Sequence, residues 1–290
     1  FREAVSPRPP DNPSRWATSQ LYLAHAAVSD IDGEKYLSDE RFARGALELA
    51  GASAAPFRIW LETWQMRGAA DGDRLDGRVS ADGERFAFDL EIRSTRPPVA
   101  HGARGLSAKG PAGNASYYYS YTGLKTRGEI SVDGESFQVT GSSWFDHEWS
   151  SSALAEDQAG WDWLSLQLAG DRALMVFRLR HRTDPEQDFY SGTFVDGSGD
   201  VATLSNGQIR LQPLDHWTSE ATGARYPVRW RLEIPHLDLS LTTEPRLLDQ
   251  EFVHGFRYWE GAVAASGRLA GERIDGQGYV ELTGYGAATD

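Results

Sequence analysis

The chain has 290 residues, 40% apolar and 24% charged, and no apolar run approaches the roughly 20 residues that a membrane-crossing helix needs. Its formal net charge is −13 and its pI about 5.0, which argues against nucleic-acid binding, a function that rests on clustered basic charge. It holds no cysteine, so disulfides, thiolate metal sites and a cysteine nucleophile are excluded.

Residues 1–16, rich in Pro, Ser and Arg, read as an irregular lead-in. Leu21–Val28 alternates as a strand and carries His25 on the face of Leu21 and Leu23. Ser38–Leu49 reads as a helix, with Ser38 as N-cap and Gly51 just past the end. Phe57–Met66 reads as one strand, with Arg58, Trp60, Glu62 and Trp64 on one face and Phe57, Ile59 and Leu61 on the other. Arg58 and Glu62 then form either an ion pair lining a ligand cavity between tryptophans or an exposed pair with flanking rings. Short strands follow at Leu75–Ser80, Phe86–Ile92, Ser116–Tyr121, Glu129–Val132 and Ser136–Gly141. Asp82-Gly83 and Asp133-Gly134 are hairpin signals.

The stretch Gly141–Trp149, GSSWFDHEW, is the most informative. It sets Asp146, His147 and Glu148 between Trp144 and Trp149. If the strand continues, Trp144, Asp146 and Glu148 share one face, and Phe145, His147 and Trp149 share the other. Either way ionisable groups lie against large rings, and burying such groups is costly unless they are paired or functional. Ser150–Gly160 has no periodic apolar face and reads as a connection. Strands resume at Trp161–Leu168, Ala173–Leu179, Asp188–Val195, Gln208–Leu214, Val228–Ile234, Leu237–Leu241, Ala262–Leu269 and Gly278–Leu282. Ten Trp, eleven Tyr and twelve Phe among many short alternating runs give an all-β expectation with enclosed surfaces. A weak repeat relates Tyr119, Gly128 and Val139-Thr140-Gly141 to Tyr258, Gly267 and Leu282-Thr283-Gly284, with Asp133-Gly134 matching Asp275-Gly276.

HAAVSD (25–30), SYYYSYTGL (116–124), VTGSSWFDHEWSS (139–151), GWDWLSLQL (160–168), YPVRWRLEIP (226–235), DQE (249–251), YWEGAVAASG (258–267) and GYVELTGY (278–285) together resemble the AttH-like, carotenoid 1,2-hydratase superfamily. The resemblance implies two consecutive lipocalin-like β-barrels, here expected over residues 1–155 and 156–290, and export to the periplasm or beyond, as in many bacterial members. Members usually open with a Trp-Trp-Tyr segment ahead of the matched region, so an N-terminal barrel lacking its first strand is expected.

The hydratases of this superfamily add water across an isolated double bond. That chemistry needs an acid to protonate carbon, a water to trap the cation and an apolar site. A carboxyl group near tryptophans has a raised pKa, aromatic faces stabilise a passing cation, and an imidazole can orient or deprotonate water. The family's His-x-Trp pair falls on His147 and Trp149. The acid role falls on Asp146 or on Asp162, and Asp162 ranks slightly higher because Trp161 and Trp163 flank it. Trp144, Trp149, Trp161, Trp163, Trp60, Trp64, Arg58, Glu62 and His25 are the candidate ligand-binding residues. The rival reading makes Asp146 and His147 a hydrogen-bonded structural pair and His25 a packed strand residue; Glu251, Glu260 and Glu281 read as structural salt-bridge partners.

There is no G-x-S-x-G elbow, phosphate loop or H-E-x-x-H pattern. No metal or cofactor is expected, and the expected partner is an apolar small molecule of isoprenoid or fatty type, with oligomeric state left open. The function classes carried forward are ligand binding with acid-catalysed hydration, non-catalytic lipid binding, and a scaffold with self-filled barrels.

Overall fold

The computed structural model describes residues 1–6, 14, 17–71, 73–111, 113–150 and 154–286. Its regular elements are antiparallel strands and three single-turn 3-10 helices, with no α-helix among the described residues. Among the described residues no helix is long and apolar enough to cross a membrane. Contacts divide the chain into two compact units: Phe1–Pro97 with Leu124–Ser143, and Pro98–Gly123 with Trp144–Asp290. A single cut at residue 155 and this division treat residues 98–123 and 144–155 differently.

In the first unit, strands Arg2–Val5, Gln20–Asp30 and Lys35–Arg44 form a three-stranded sheet. Strands Ala50–Ala54, Phe57–Leu61, Trp64–Asp71, Arg74–Asp82 and Phe86–Ser94 then pair each with the next. Residues 124–132 close onto the last of these. Tyr22, Ala24, Leu37, Leu61, Trp64, Phe86 and Val132 belong to its core. Tyr22, Ala24 and Ala26 are the buried members of their strand, so His25 faces away from that core.

The expected helix over Ser38–Leu49 is overturned: Lys35–Arg44 is a strand. It pairs in register with Gln20–Asp30, so that Tyr22 opposes Ala43 and His25 opposes Glu40. Glu40 pairs across to His25 and Arg41 reaches Asp82 and Thr63, and tertiary pairing overrides intrinsic propensity. Phe57–Met66 is likewise not one strand. It breaks into a hairpin at Glu62-Thr63, where Glu62 takes φ 55°. Arg58 and Glu62 therefore do not pair: Glu62 lies 3.7 Å from Arg41, and Arg58 lies over the Trp60 ring.

Residues Ser116–Tyr121 and Glu129–Val132 belong to one long strand, Ala115–Val132, which turns back into Glu135–Trp149. Asp133 and Gly134 both take positive φ, 51° and 85°, as a type I′ hairpin turn requires. Asp275-Gly276, by contrast, lies inside strand Glu272–Thr283. The turn of the corresponding hairpin is Ala270-Gly271.

The second unit holds a ten-stranded antiparallel sheet running Val201–Leu204, Phe189–Val195, Arg172–His181, Gln158–Leu168, Glu272–Thr283, Arg257–Leu269, Leu239–Pro245, Arg225–Ile234 and Arg210–Thr218, with Glu251–Val253 beside Arg257–Leu269. Leu164, Leu166, Leu174, Val176, Trp230, Trp259 and Val280 belong to its barrel core. The run Ala173–Phe177 is buried on both faces. Leu174 and Val176 point into the barrel, while Met175 and Phe177 join Tyr118 in a second cluster packed by Trp144, Trp161 and Trp163. Both units are curled antiparallel sheets, and the architecture is two lipocalin-like barrels, as expected.

Candidate active site

The second cluster is where the chemistry collects. Strand Glu135–Trp149 continues through the whole acid-and-ring motif, and its contacts follow strict alternation. Trp144, Asp146 and Glu148 meet Ser116, Tyr118 and Ser120 on one face. Phe145, His147 and Trp149 meet Tyr117, Tyr119 and Tyr121 on the other.

Asp146 has an asymmetric carboxyl group. Tyr118 Oη donates to Oδ1 at 2.8 Å, Trp144 Nε1 donates to it at 2.9 Å, and Ser120 Oγ donates to the same atom. Among the described residues Oδ2 takes no protein donor. Burial pushes the Asp146 pKa up, and the three hydrogen bonds oppose that only in part. By accessible area the residue as a whole is exposed, so the crowding is local to the carboxyl group and its three donors. The neutral form holds its proton on Oδ2, because Oδ1 is filled by three donors.

Behind Asp146 runs a relay absent from the candidates read in the sequence. His101 is buried; its Nδ1 lies 2.8 Å from Thr193 Oγ1 and its Nε2 lies 2.7 Å from Ser120 Oγ. Burial, with Lys109 nearby, pushes the His101 pKa down to about 3, so the ring is neutral at pH 7. Ser120 spends its proton on Asp146, so His101 Nε2–H donates to Ser120 and Thr193 donates to Nδ1. The direction of the chain follows from Asp146 alone. His101 also lies against Tyr118, ring centroids 4.2 Å apart. Its segment is fixed by pairing of Val99–Ala100 with Ser120 and Tyr119. A lone histidine in Pro-Val-Ala-His-Gly gives no local signal, since its partners lie 19 and 92 residues away.

The side chains packed around Tyr118 are largely aromatic. Trp163 Nε1 donates to Tyr118 Oη at 3.1 Å, and Trp163 opposes Phe177 on the next strand. Tyr118 is pushed well above the usual tyrosine range by burial and then by the adjacent Asp146; it stays a phenol and a donor. Lys109 stands over the Phe177 ring at 4.4 Å and ion-pairs with Glu148 at 2.5 Å.

His147 lies on the opposite face from Asp146. Its Nδ1 is 2.9 Å from Tyr119 Oη, and burial pushes its pKa down. With Trp149, which is 49% exposed and stacked on Tyr117, it forms an open aromatic surface. The structure thus groups Asp146 with Trp144 and Trp163, and His147 with Trp149.

Asp162 is a different kind of site. It points into the barrel, on the side of Leu164, while its neighbours Trp161 and Trp163 point away. The acid-between-rings pattern in sequence therefore puts no flanking ring around this acid. Arg178 holds Oδ2 through Nε at 2.7 Å and Nη2 at 2.6 Å. Tyr285 Oη donates to Oδ1 at 2.6 Å, and Arg180 Nε stands 3.4 Å from it. Burial pushes the Asp162 carboxyl up, and the two guanidiniums oppose it; its charge raises the Arg178 pKa in return. Both oxygens are occupied and the residue is fully buried, so this is an internal ion-pair lock.

The remaining candidates are in the first unit or hold structural bonds. His25 Nε2 pairs with Glu40 at 2.9 Å. Trp64 is buried and donates to the Asp82 carbonyl, and Trp60 donates to that of Glu48. In the second unit Trp161 donates to Glu281, and Glu251 accepts from Tyr226 and Thr222 rather than from a cation. No three His, Asp or Glu side chains converge as a metal cluster among the described residues.

A two-barrel lipocalin-like protein with a carboxyl group set among aromatic side chains is the class that this fold and site define. The chain belongs to the AttH-like family, whose model matches residues 1–285. It is similar to the crystal structure of a candidate AttH from Nitrosomonas europaea, at 34% identity and a TM-score of 0.83, covering 95% of this chain and 84% of that one. Kievitone hydratase from Nectria haematococca shares the fold at a TM-score of 0.73 and 17% identity, over 91% of this chain and 79% of that one. The dehydratase asqC of Emericella nidulans is 24% identical over 227 residues, 71% of this chain. The chain spans about 60% of the length of that curated relative.

Proposed function

We propose that this protein is a hydro-lyase that adds water to, or removes it from, an apolar molecule with an isolated double bond, and that Asp146 is its acid. The observation that carries the reading is the asymmetry of Asp146: three donors on Oδ1, none on Oδ2 among the described residues, and a pKa raised by burial. Similarity to a hydratase and a dehydratase supports the reaction class.

In the hydration direction, Oδ2–H is transferred to one alkene carbon and the π pair forms the new C–H bond. The other carbon becomes a tertiary cation, which the faces of Trp144 and Trp163 stabilise. A water oxygen then bonds to that carbon, and its extra proton returns to Asp146 Oδ2. One water is consumed, no second base is needed, and the acid is regenerated. While Asp146 is anionic, Tyr118, Ser120 and Trp144 hold its charge on Oδ1. His101 fixes the Ser120 rotor and acts as a positioning residue.

The test is turnover of a panel of prenyl alkenes and the matching tertiary alcohols in D2O, with wild type and Asp146→Asn. The reading requires deuterium on carbon in the wild-type product and none with the variant. Incorporation that survives in the variant sinks it.

A second reading is favoured by Tyr117 and Trp149, which are 53% and 49% exposed and stacked at 5.4 Å. With Tyr119 and His147 they form a ready platform for an apolar or planar ligand, which fits a non-catalytic carrier. Ligand affinity that Trp149→Ala removes, with no turnover of any panel member by wild type, would establish it.

A further inference from the structure

On the strand that carries Asp146, the next side chain of the same face is Glu148, about 7 Å along. Its carboxylate follows the same plan. Oε1 accepts from Ser116 Oγ and from Lys109 Nζ at 2.5 Å, and no protein donor reaches Oε2 among the described residues. Lys109 is held at its backbone: its carbonyl accepts from Gln158 Nε2 at 2.7 Å, and its N–H donates to the Asn114 carbonyl at 2.7 Å. Its ammonium stands 4.4 Å from the centroid of the Phe177 ring and 5.3 Å from that of Tyr118. An ammonium carries three N–H donors. One goes to Glu148, and no other protein oxygen takes the rest among the described residues.

The two side chains are 22% and 39% exposed, so both reach solvent. An exposed ion pair contributes little to stability, and the chemistry proposed at Asp146 makes no use of this one. Ser107, directly opposite Ser116 on the same face, is buried and its hydroxyl has no partner. The row Ser107, Ser116 and Glu148 therefore has more hydrogen-bonding capacity than the protein itself uses.

An open acceptor beside free N–H donors complements a hydroxyl, which donates and accepts through one oxygen. We infer that Glu148 and Lys109 form a hydroxyl-recognition site that sets the register of the substrate. The substrate O–H donates to Glu148 Oε2 and accepts from Lys109 Nζ, while the double bond lies at Asp146. The substrate class is then an apolar alkene with a hydroxyl about 7 Å from the carbon that is protonated. The position of the double bond rests on the hydro-lyase reading; the hydroxyl site does not.

The binding probe is dihydrocitronellol, a saturated alcohol that cannot react, set against its methyl ether, which accepts but cannot donate. Both are titrated into the whole chain by calorimetry. The alcohol should bind at least about tenfold tighter, the worth of one hydrogen bond to a charged group. In Glu148→Gln the amide oxygen can still accept from Ser116 and Lys109, and the amide NH2 then faces the ligand as a donor. The preference for the alcohol should vanish or invert at nearly unchanged Tm. Lys109→Met, which keeps an apolar stem, should weaken alcohol binding. Equal affinity for alcohol and ether, binding of neither, or a preference that survives Glu148→Gln would each overturn the proposal.

Turnover separates the two readings. With citronellol, whose hydroxyl and double bond can span that distance, kcat/KM should exceed that for prenol, whose hydroxyl lies too near the double bond. A Glu148-dependent preference for the alcohol, with no deuterium incorporated into any alkene, would uphold the hydroxyl site and sink the hydro-lyase reading. Deuterium incorporation without that preference would do the opposite.

Discussion

Tyr118 Oη stands 2.8 Å from Asp146 Oδ1, while Oδ2 of the same carboxyl has no protein donor among the described residues. The proposed acid role of Asp146 rests on this asymmetry. At Asp162 both oxygens are taken, by two arginines and a tyrosine, and nothing remains for a substrate. At Asp146 one oxygen is fixed and the other is open.

Asp146→Asn should leave the fold intact, because an amide oxygen can accept the same three hydrogen bonds. It cannot donate a proton to carbon. Loss of a positioned general acid costs about 10²–10⁴-fold in rate, so kcat should fall by at least 10²-fold at nearly unchanged Tm and ligand affinity. Steady-state kinetics and a thermal melt on the same preparation check it.

Asp162→Ala should do the reverse. Removing one partner of a buried ion pair leaves the other charge uncompensated, at a cost of about 3–5 kcal/mol. Denaturant unfolding should show that loss. An Asp162→Ala protein that unfolds at the wild-type midpoint and lacks turnover would move the acid role to Asp162.

Tyr118→Phe removes one of the bonds that hold the Asp146 pKa down. Its folded pKa should rise further, and the acid form should persist to higher pH. The alkaline limb of the activity profile should therefore move upward relative to wild type. The substitution also strands the Trp163 N–H, a cost of about 1–3 kcal/mol, visible as a lower Tm.

Two titrations act on stability in opposite senses. The Asp146 pKa is raised on folding, so its contribution is complete below the ordinary aspartate range and is lost as pH rises through the folded value. The His101 pKa is lowered to about 3, so its contribution is complete above about 6.5 and is lost as pH falls from there toward 3. His101→Gln should flatten the acid limb of the stability curve and leave the alkaline limb in place. An unchanged acid limb would show that His101 is not the group that fails there.

Much of the fold was legible because period-two alternation and Asp-Gly turns are local signals. The alternation of Gly141–Trp149 already placed Asp146 with Trp144 and apart from His147. Ser38–Leu49 misled because Asp39, Glu40 and Arg41 look like a helix surface until strand Gln20–Asp30 is set beside them. Glu62 misled because an unbroken alternation hides a turn that only its positive φ reveals. Asp162 is the sharper lesson: adjacency to tryptophans in sequence is opposition in a strand, so the flanking rings point away from the acid. His101, Ser120 and Thr193 form their relay only through long-range pairing, and no local pattern announces it.

The most direct measurement is the ionisation of Asp146 itself. In protein labelled with ¹³C at aspartate carboxyls, the Asp146 signal is assigned by its loss in Asp146→Asn and followed against pH. The account predicts a midpoint clearly above the ordinary aspartate value of about 3.9, and a further rise in Tyr118→Phe. A midpoint at or below 3.9 would make Asp146 a plain hydrogen-bonded carboxylate and would contradict the assignment of the acid.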